Sequence, residues 1–319
     1  MVKAVVVQEF GGPEGLAVVD LPAPEPVPGT VVVTTEAAGV GGVDALVRSG
    51  ALAAFGFATG HVLGGEVAGV VSAAGEGVDP AWLGKRVWGM TGAGGGYAEQ
   101  ALVAADLLVE LPGETSAVDA VTLGGSGVVA HFALRQVHLA AGEAVLVRGA
   151  GGGLGVMAVQ LAARAGAASI TATTSSPDRG QRLRELGATH LLDRSGAGER
   201  PDGFDVVIDV VGGTGVPALL TWLNPNGRLV SIGAVGGMPE GDLGAVLYRH
   251  FQRSLSVSTF SADTVPAAAK GAVAAELFAA TARGELTSVV HEVLPLAEAS
   301  KAHRALAAGE VFGRVALVV

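Results

Sequence analysis

Apolar positions along the chain follow two different periods. Up to about residue 117 they form short runs broken by glycine-rich turns. Lys3–Gln8, Thr30–Ala37, Val67–Ala73 and Arg86–Gly89 have the length and β-branched content of strands. Between the first two lies Leu21-Pro22-Ala23-Pro24-Glu25-Pro26-Val27-Pro28-Gly29. Proline fixes φ and has no N–H, so this segment cannot be helical and is predicted to be an extended connector. A barrel-like β domain is predicted for the whole stretch.

From about Val118 to Phe260 strand and helix patterns alternate. Ala144–Arg148, Ser169–Thr173, Thr189–Leu192, Asp205–Val210, Arg228–Ile232 and Ser254–Thr259 read as strands. Leu154–Ala165 is helical by period, and Pro177–Leu186 is a helix opened by Ser175/Ser176 and ended at Gly187. Such alternation predicts a doubly wound parallel sheet, an α/β fold. From Ser261 onward the pattern gives a helix over about Pro266–Arg283, a strand at Val289–Leu294, a helix at Leu296–Ala308 and a strand at Arg314–Val319.

Composition narrows the function. The 319 residues suggest about two domains. Lys+Arg number 20 against 30 Asp+Glu, a net charge of −10, and aromatics are 4%. That balance argues against nucleic acid as a partner, which needs clustered cations and stacking rings. Half the residues are hydrophobic, enough for a sheet covered on both faces. The 50 glycines are about twice the usual share of ~7%. They stand among Val, Leu and Ile, as in tight turns between buried strands. With no cysteine, disulfides, thiolate nucleophiles and sulfur-ligated zinc are excluded. The N-terminal apolar run is too short for a signal peptide and is interrupted by Glu9. Every apolar stretch of about 20 residues carries a charge or dense glycines, so no membrane span is predicted and a soluble cytoplasmic protein is expected.

Gly149-Ala150-Gly151-Gly152-Gly153-Leu154-Gly155 follows a strand and opens a helix. A glycine turn lets backbone approach a pyrophosphate, and the helix N-terminus presents free N–H groups and a positive dipole to it. Gly149, Ala150, Gly152, Gly153, Leu154 and Gly155 are therefore expected to hold a dinucleotide; the alternative is one more turn in a glycine-rich chain. An NAD site places a carboxylate about 20 residues further on. Here that place holds Thr174, followed by Ser175, Ser176 and Arg179. Hydroxyls and a guanidinium suit the 2′-phosphate of NADPH, with Arg194 as a second cation. Otherwise the serines are helix caps and Arg179 a solvated charge. Val211, Ile232 and Gly233 close later strands at the edge where such ligands bind, though buried strands with glycine turns would look the same.

With these residues the chain resembles the medium-chain dehydrogenase/reductase family, in its zinc-free, zeta-crystallin-like quinone oxidoreductase branch. The resemblance rests on Ala37-Ala38-Gly39-Val40, Asp44, Arg48-Ser49-Gly50 and Leu63-Gly64-Gly65-Glu66-Val67-Ala68-Gly69. It continues through Gly84-Lys85-Arg86-Val87-Trp88-Gly89, Gly95-Gly96-Tyr97-Ala98-Glu99, Val159-Gln160-Leu161-Ala162, Leu186-Gly187-Ala188-Thr189 and Gly313-Arg314-Val315. It implies a GroES-like β-barrel domain (1–117 and 261–319), a Rossmann NADPH-binding domain (118–260), a substrate cleft between them, Arg314 at the cofactor, and a homodimer joined through Ser254–Thr259. Zinc-dependent relatives carry Cys near Gly41 and His at Gly65, so no metal is expected. Quinone reductases usually have Asn at Gly41 and often Tyr near Leu52; both are lost here, and Val129 and His131 replace a Thr and an aromatic.

Catalytic candidates are few. His131 is a proton or hydrogen-bond donor at the nicotinamide, or a packed histidine. Asp44 matches a family position but reads better as a structural partner of Arg48. His61 lines the substrate cleft or caps the barrel, and Tyr97 reads as barrel packing. Gly125-Ser126-Gly127 lacks the last glycine of a nucleophile elbow, and no lysine follows the phosphate turn as in an ATPase. The expected function is NADPH-dependent, metal-free hydride transfer to a small quinone-like acceptor. The alternatives are reduction of an activated alkene (an enone or enoyl thioester) and a non-catalytic NADPH-binding protein.

Overall fold

The apolar runs become strands and helices in the computed structural model, which describes residues 1–319. Chain order is β1 (Val2–Val7), β2 (Leu16–Leu21), β3 (Thr30–Val40), α1 (Gly42–Ser49), β4 (Glu66–Ala74), β5 (Arg86–Met90), β6 (Gln100–Ala104), β7 (Leu108–Glu110) and α2 (Ala117–Gln136). Next come β8 (Ala144–Arg148), α3 (Gly153–Arg164), β9 (Ser169–Thr173), α4 (Pro177–Glu185), β10 (His190–Leu192), β11 (Phe204–Asp209), α5 (Val216–Thr221), β12 (Leu223–Ser231), α6 (Leu243–Arg249) and β13 (Ser256–Thr259). The chain closes with α7 (Ala267–Ala282), β14 (Val290–Pro295), α8 (Ala299–Ala307) and β15 (Arg314–Val318).

Met1–Gly125 and Pro266–Val319 form one compact unit. Its main sheet has the order β14-β15-β3-β4-β5-β7, with β6 also on β3. β3 spans 11 residues and is the spine. It pairs antiparallel with β4, β6 and β15 along different parts of its length. Val33, Leu63, Val67, Val87 and Leu317 fill the core at 0% exposure. Each such side chain contributes about 1.5–3 kcal/mol on burial. β1 and β2 make a separate antiparallel hairpin.

Ser126–Val265 form the other unit. Its six strands are all parallel, in the order β10-β9-β8-β11-β12-β13. β8 is central, and Val145, Leu146 and Val147 are fully buried, as a strand covered on both faces requires. The order reverses between β8 and β11. Open parallel sheets bind ligands outside the carboxyl ends of strands at such a switch point.

Boundaries expected at 117/118 and 260/261 stand at 125/126 and 265/266. The first lies inside α2, because the early turns of α2 pack on the β unit. A Cβ on Gly124 would meet the Trp88 ring, and Gly125 N donates to Glu66 Oε2 (3.0 Å). β12 starts at Leu223, five residues before the expected Arg228, since Leu223 pairs with Phe204 ahead of a bulge containing Asn226 at φ +64°. α2 is long and apolar enough to cross a membrane, but 72% of its most apolar window is buried within the fold, as in a core helix.

Candidate functional site

The turn between β8 and α3 has the features a phosphate requires. Gly149 has φ +83° and its N–H donates to Thr173 Oγ1 (2.9 Å), which fixes the turn against β9. A Cβ at Gly155 would overlap Gly149 O and reach Ala150 Cα at 2.5 Å, so only glycine lets α3 start this close to β8. Gly152 differs. It has ordinary extended backbone (φ −86°, ψ 169°), and a Cβ there meets no protein atom within 4 Å. Nothing in the fold demands glycine at that point; it leaves open a space outside the chain. No side chain caps α3, and its first backbone bond runs from Val156 N to Gly152 O. The earlier N–H groups of the helix end remain for a ligand, in the positive end of the dipole. Ala150 is buried and Leu154 half-buried beside them.

Next to it, at the carboxyl end of β9, Arg179 Nη1 donates to Ser175 Oγ (3.2 Å). Ser176 Oγ accepts from Arg179 N (3.3 Å) and is the N-cap of α4, so one serine caps and the other stands exposed beside the half-buried Arg179. Thr174 N donates to Leu192 O, and Thr174 Oγ1 donates to Ser176 O. No carboxylate lies between Thr173 and Ser176. Arg194 is exposed in the turn after β10. Across the switch point, a Cβ on Gly149 would approach Val211 Cγ2 at 2.9 Å. Ile232 N donates to Asp209 O (2.8 Å), and Gly233 packs on Val210 so closely that a Cβ there would overlap Val210 O. Gly149, Val211 and Gly233 thus meet at the ends of β8, β11 and β12. The surface suits a dinucleotide: a pyrophosphate over Gly152 and the α3 N-terminus, and a 2′-phosphate at Ser175 and Arg179.

Arg314 belongs to the β unit, where Nη2 forms an ion pair with Glu66 Oε1 (2.5 Å). Glu66 is buried and also accepts from Trp88 Nε1 (2.8 Å) and Gly125 N (3.0 Å). Within its own unit Arg314 serves as the counter-ion of a buried carboxylate.

Of the three catalytic candidates, Asp44 and His61 belong to the β unit, where they share no hydrogen bond or ring contact, and His131 belongs to the parallel unit. Asp44 caps its own helix: Oδ2 accepts from Gly41 N (2.8 Å) and Tyr97 Oη (3.2 Å), and Oδ1 from Gly64 N (3.0 Å). Burial raises its carboxyl above the ordinary range, against these hydrogen bonds. It makes no pair with Arg48, contrary to expectation. Arg48 donates instead to Gly11 O and to His303 Nδ1 (3.2 Å). His61 Nε2 lies 3.1 Å from Ala93 O, with its ring edge-on to Phe57. His131 is half-buried on α2, edge-on to Phe132; burial, then Arg135, lowers its pKa.

His303 was not singled out by the sequence, yet it is fully buried and joins Arg48 to Tyr97, whose Oη lies 3.4 Å from Nε2. Arg48 only donates, so Nδ1 accepts and Nε2 carries the proton. Burial, then the Arg48 charge, pushes the His303 pKa from 6.5 down to about 3. Between those values the unfolded chain binds a proton that the folded chain refuses, so stability falls as pH drops through the window. Urea unfolding between pH 7 and pH 4.5 should show a slope smaller in His303→Gln than in wild type by up to about 1.4 kcal/mol per pH unit. Identical slopes would remove His303 from the acid response.

Family models agree with this geometry. An alcohol dehydrogenase GroES-like domain matches residues 27–113, and a zinc-binding dehydrogenase matches residues 153–278. For zinc the residues do not fit: there is no cysteine, and no three His, Asp or Glu side chains converge. The chain is 33% identical to a quinone oxidoreductase of Pseudomonas aeruginosa, covering 100% of both. It is 28% identical to a 2-haloacrylate reductase of Burkholderia sp., covering 100% of this chain and 99% of the relative. A mycobacterial protein solved in complex with NADPH superposes with TM-score 0.90 at 30% identity, over 100% of both chains. With family models over residues 27–113 and 153–278 and a full-length relative at this identity, the chain belongs to the quinone oxidoreductase group of the medium-chain dehydrogenase/reductase family, and it is an oxidoreductase.

Proposed function

We propose that this oxidoreductase uses NADPH to reduce a quinone-like small molecule, without a metal. The observation that carries the reading is the Ser175–Arg179 pair at the end of β9, beside a phosphate turn whose Gly152 the fold does not need. The mycobacterial structure solved with NADPH supports it. Backbone N–H groups at Gly153 and Leu154 would hold the pyrophosphate, with Ser175 and Arg179 on the 2′-phosphate and Arg194 nearby. Bound NADPH supplies the hydride. Reduction of a quinone leaves oxygens that water can protonate, so no strong general acid is required of the chain. That fits a protein whose Asp44 is committed to three structural donors.

Titration by NADPH fluorescence, then NADPH oxidation against a panel of quinones and enones, tests the reading. Quinone-dependent oxidation supports it; oxidation independent of the acceptor, or stronger binding of NADH, overturns it. Arg179→Ala should weaken NADPH about tenfold and leave NADH unchanged, as loss of a charged hydrogen bond to the 2′-phosphate requires. An equal loss for both nucleotides would place Arg179 away from that group. A second reading, reduction of an activated alkene, is favoured by the Burkholderia relative named a 2-haloacrylate reductase. Turnover of haloacrylates or enones but not quinones would select it. The proposal includes a cytoplasmic homodimer joined through β13, the outermost strand of the parallel sheet. A monomer in sedimentation would overturn that part.

A further inference from the structure

β8 is apolar until its last residue, with Val145, Leu146 and Val147 buried, and that last residue is an arginine. Arg148 stands directly before Gly149. Its Nη1 donates to Asp209 Oδ1 (3.1 Å) and to Gly212 O (2.8 Å). Asp209, at the end of β11, is fully buried, and its carboxylate also accepts from Val211 N (3.0 Å) and Gly212 N (3.1 Å). The turn it grips runs into a single 3-10 turn at Gly213–Gly215, and Gly212 and Gly213 both have positive φ, +71° and +72°. The bonds from Arg148 and Asp209 tie its near end to β8 and β11. From that turn Val211 stands against Gly149 of the phosphate turn. It also carries the next loop: Gly236 N donates to Val211 O (2.7 Å), and Gly213 N to Gly237 O (2.9 Å).

We infer that Arg148 is a positioning residue for the cofactor: by clamping Asp209 to Gly212 O it sets the turn at 210–213 against the phosphate turn. It does so at the one place where the sheet order reverses. A guanidinium is suited to the task because it bridges a carboxylate and a carbonyl in one plane and never loses its charge. The inference rests on the reading that the phosphate turn holds NADPH. It assigns Arg148 no contact with the nucleotide. Its effect is on the part common to NADPH and NADH, and so is separable from that of Arg179.

The test uses Arg148→Gln and Arg148→Lys in the full chain, with both nucleotides titrated and KM and kcat measured against a quinone. Arg148→Gln should raise Kd for NADPH and NADH by the same factor, about tenfold or more, the worth of a charged hydrogen bond. The loss should fall on KM for NADPH rather than on kcat. Arg148→Lys keeps the charge and one contact, and should recover part of the affinity. If Arg148→Gln fails to fold, the lysine variant carries the test with an intermediate rise in Kd. A purely structural role predicts the reverse pattern: less active protein, a lower apparent kcat and unchanged Kd. Combining Arg148→Gln with Asp209→Asn should add little to the single loss, because both serve one turn. Wild-type affinity in Arg148→Gln, a loss confined to NADPH, or additive effects in the double variant would overturn the inference. If the wild-type chain binds neither nucleotide, the cofactor reading fails first and the role of Arg148 with it.

Discussion

Gly152→Asp is expected to abolish nucleotide binding while making the protein slightly more stable. The two effects have separate origins. Gly152 is the N-cap of α3, with extended backbone that any residue adopts and no protein atom near a built Cβ. Aspartate is among the best N-caps and complements the helix dipole, and replacing glycine also restricts the unfolded chain. Together these contribute about 1 kcal/mol, so Tm should hold or rise. The same carboxylate would sit where a pyrophosphate must sit, take up its N–H donors and repel its charge. Loss of two charged hydrogen bonds at roughly 1.5–3 kcal/mol each weakens binding more than about a hundredfold. Thermal unfolding and fluorescence titration read the two halves independently. A variant that binds NADPH normally would show that the open space is not the phosphate site. A variant that melts early would show that the glycine is structural.

Glu66→Leu should be the most damaging single change in the β unit. It would remove the carboxylate that pairs with Nη2 of Arg314, whose side chain is 11% exposed, and that accepts from Trp88 Nε1–H and Gly125 N–H. Removing one partner of a buried pair costs about 3–5 kcal/mol, which corresponds to about 10 °C in Tm for a unit of this size. Glu66→Gln keeps an acceptor for Trp88 and Gly125 and should lose less. Adding Arg314→Met to Glu66→Leu should recover much of the stability, because the stranded charge, rather than the lost attraction, carries most of the cost. Thermal unfolding followed by tryptophan emission decides the matter, and an unchanged Tm in Glu66→Leu would show the carboxylate to be dispensable.

What the sequence reveals here is what is contiguous in it. The phosphate turn is seven consecutive residues between a strand and a helix, so glycine spacing and context suffice to place it. Ser175 and Arg179 are also near neighbours, one helical turn apart, and the structure joins them. The parallel unit is legible for the same reason, as alternating local periods. Networks closed over long separations are not legible. Arg48 meets His303 across 255 positions and Trp88 meets Glu66 across 22; no local pattern announces either. Asp44 and Arg48, a turn apart on α1, invite pairing, yet each finds a distant partner that satisfies it better. The ion pair of Arg314 with Glu66, 248 positions apart, is equally silent in the sequence. Arg148 escapes notice because a charged residue ending a buried strand reads as a solvated terminus.

The path of the chain through the β unit has a consequence for its synthesis. β15 lies inside the sheet, between β14 and β3, and pairs Val315 with Val40. Everything needed for the parallel unit has left the ribosome by Val265, whereas β3 waits for residues more than 270 positions downstream. The inserted unit can therefore complete its folding first, while the surrounding one still exposes part of the spine strand as an open edge. Closing so distant a pairing is slow, and unpaired edges recruit other chains. The nascent protein is thus most vulnerable to aggregation in the interval before its final strand emerges, and a chain cut short ahead of Arg314 would keep that edge open permanently.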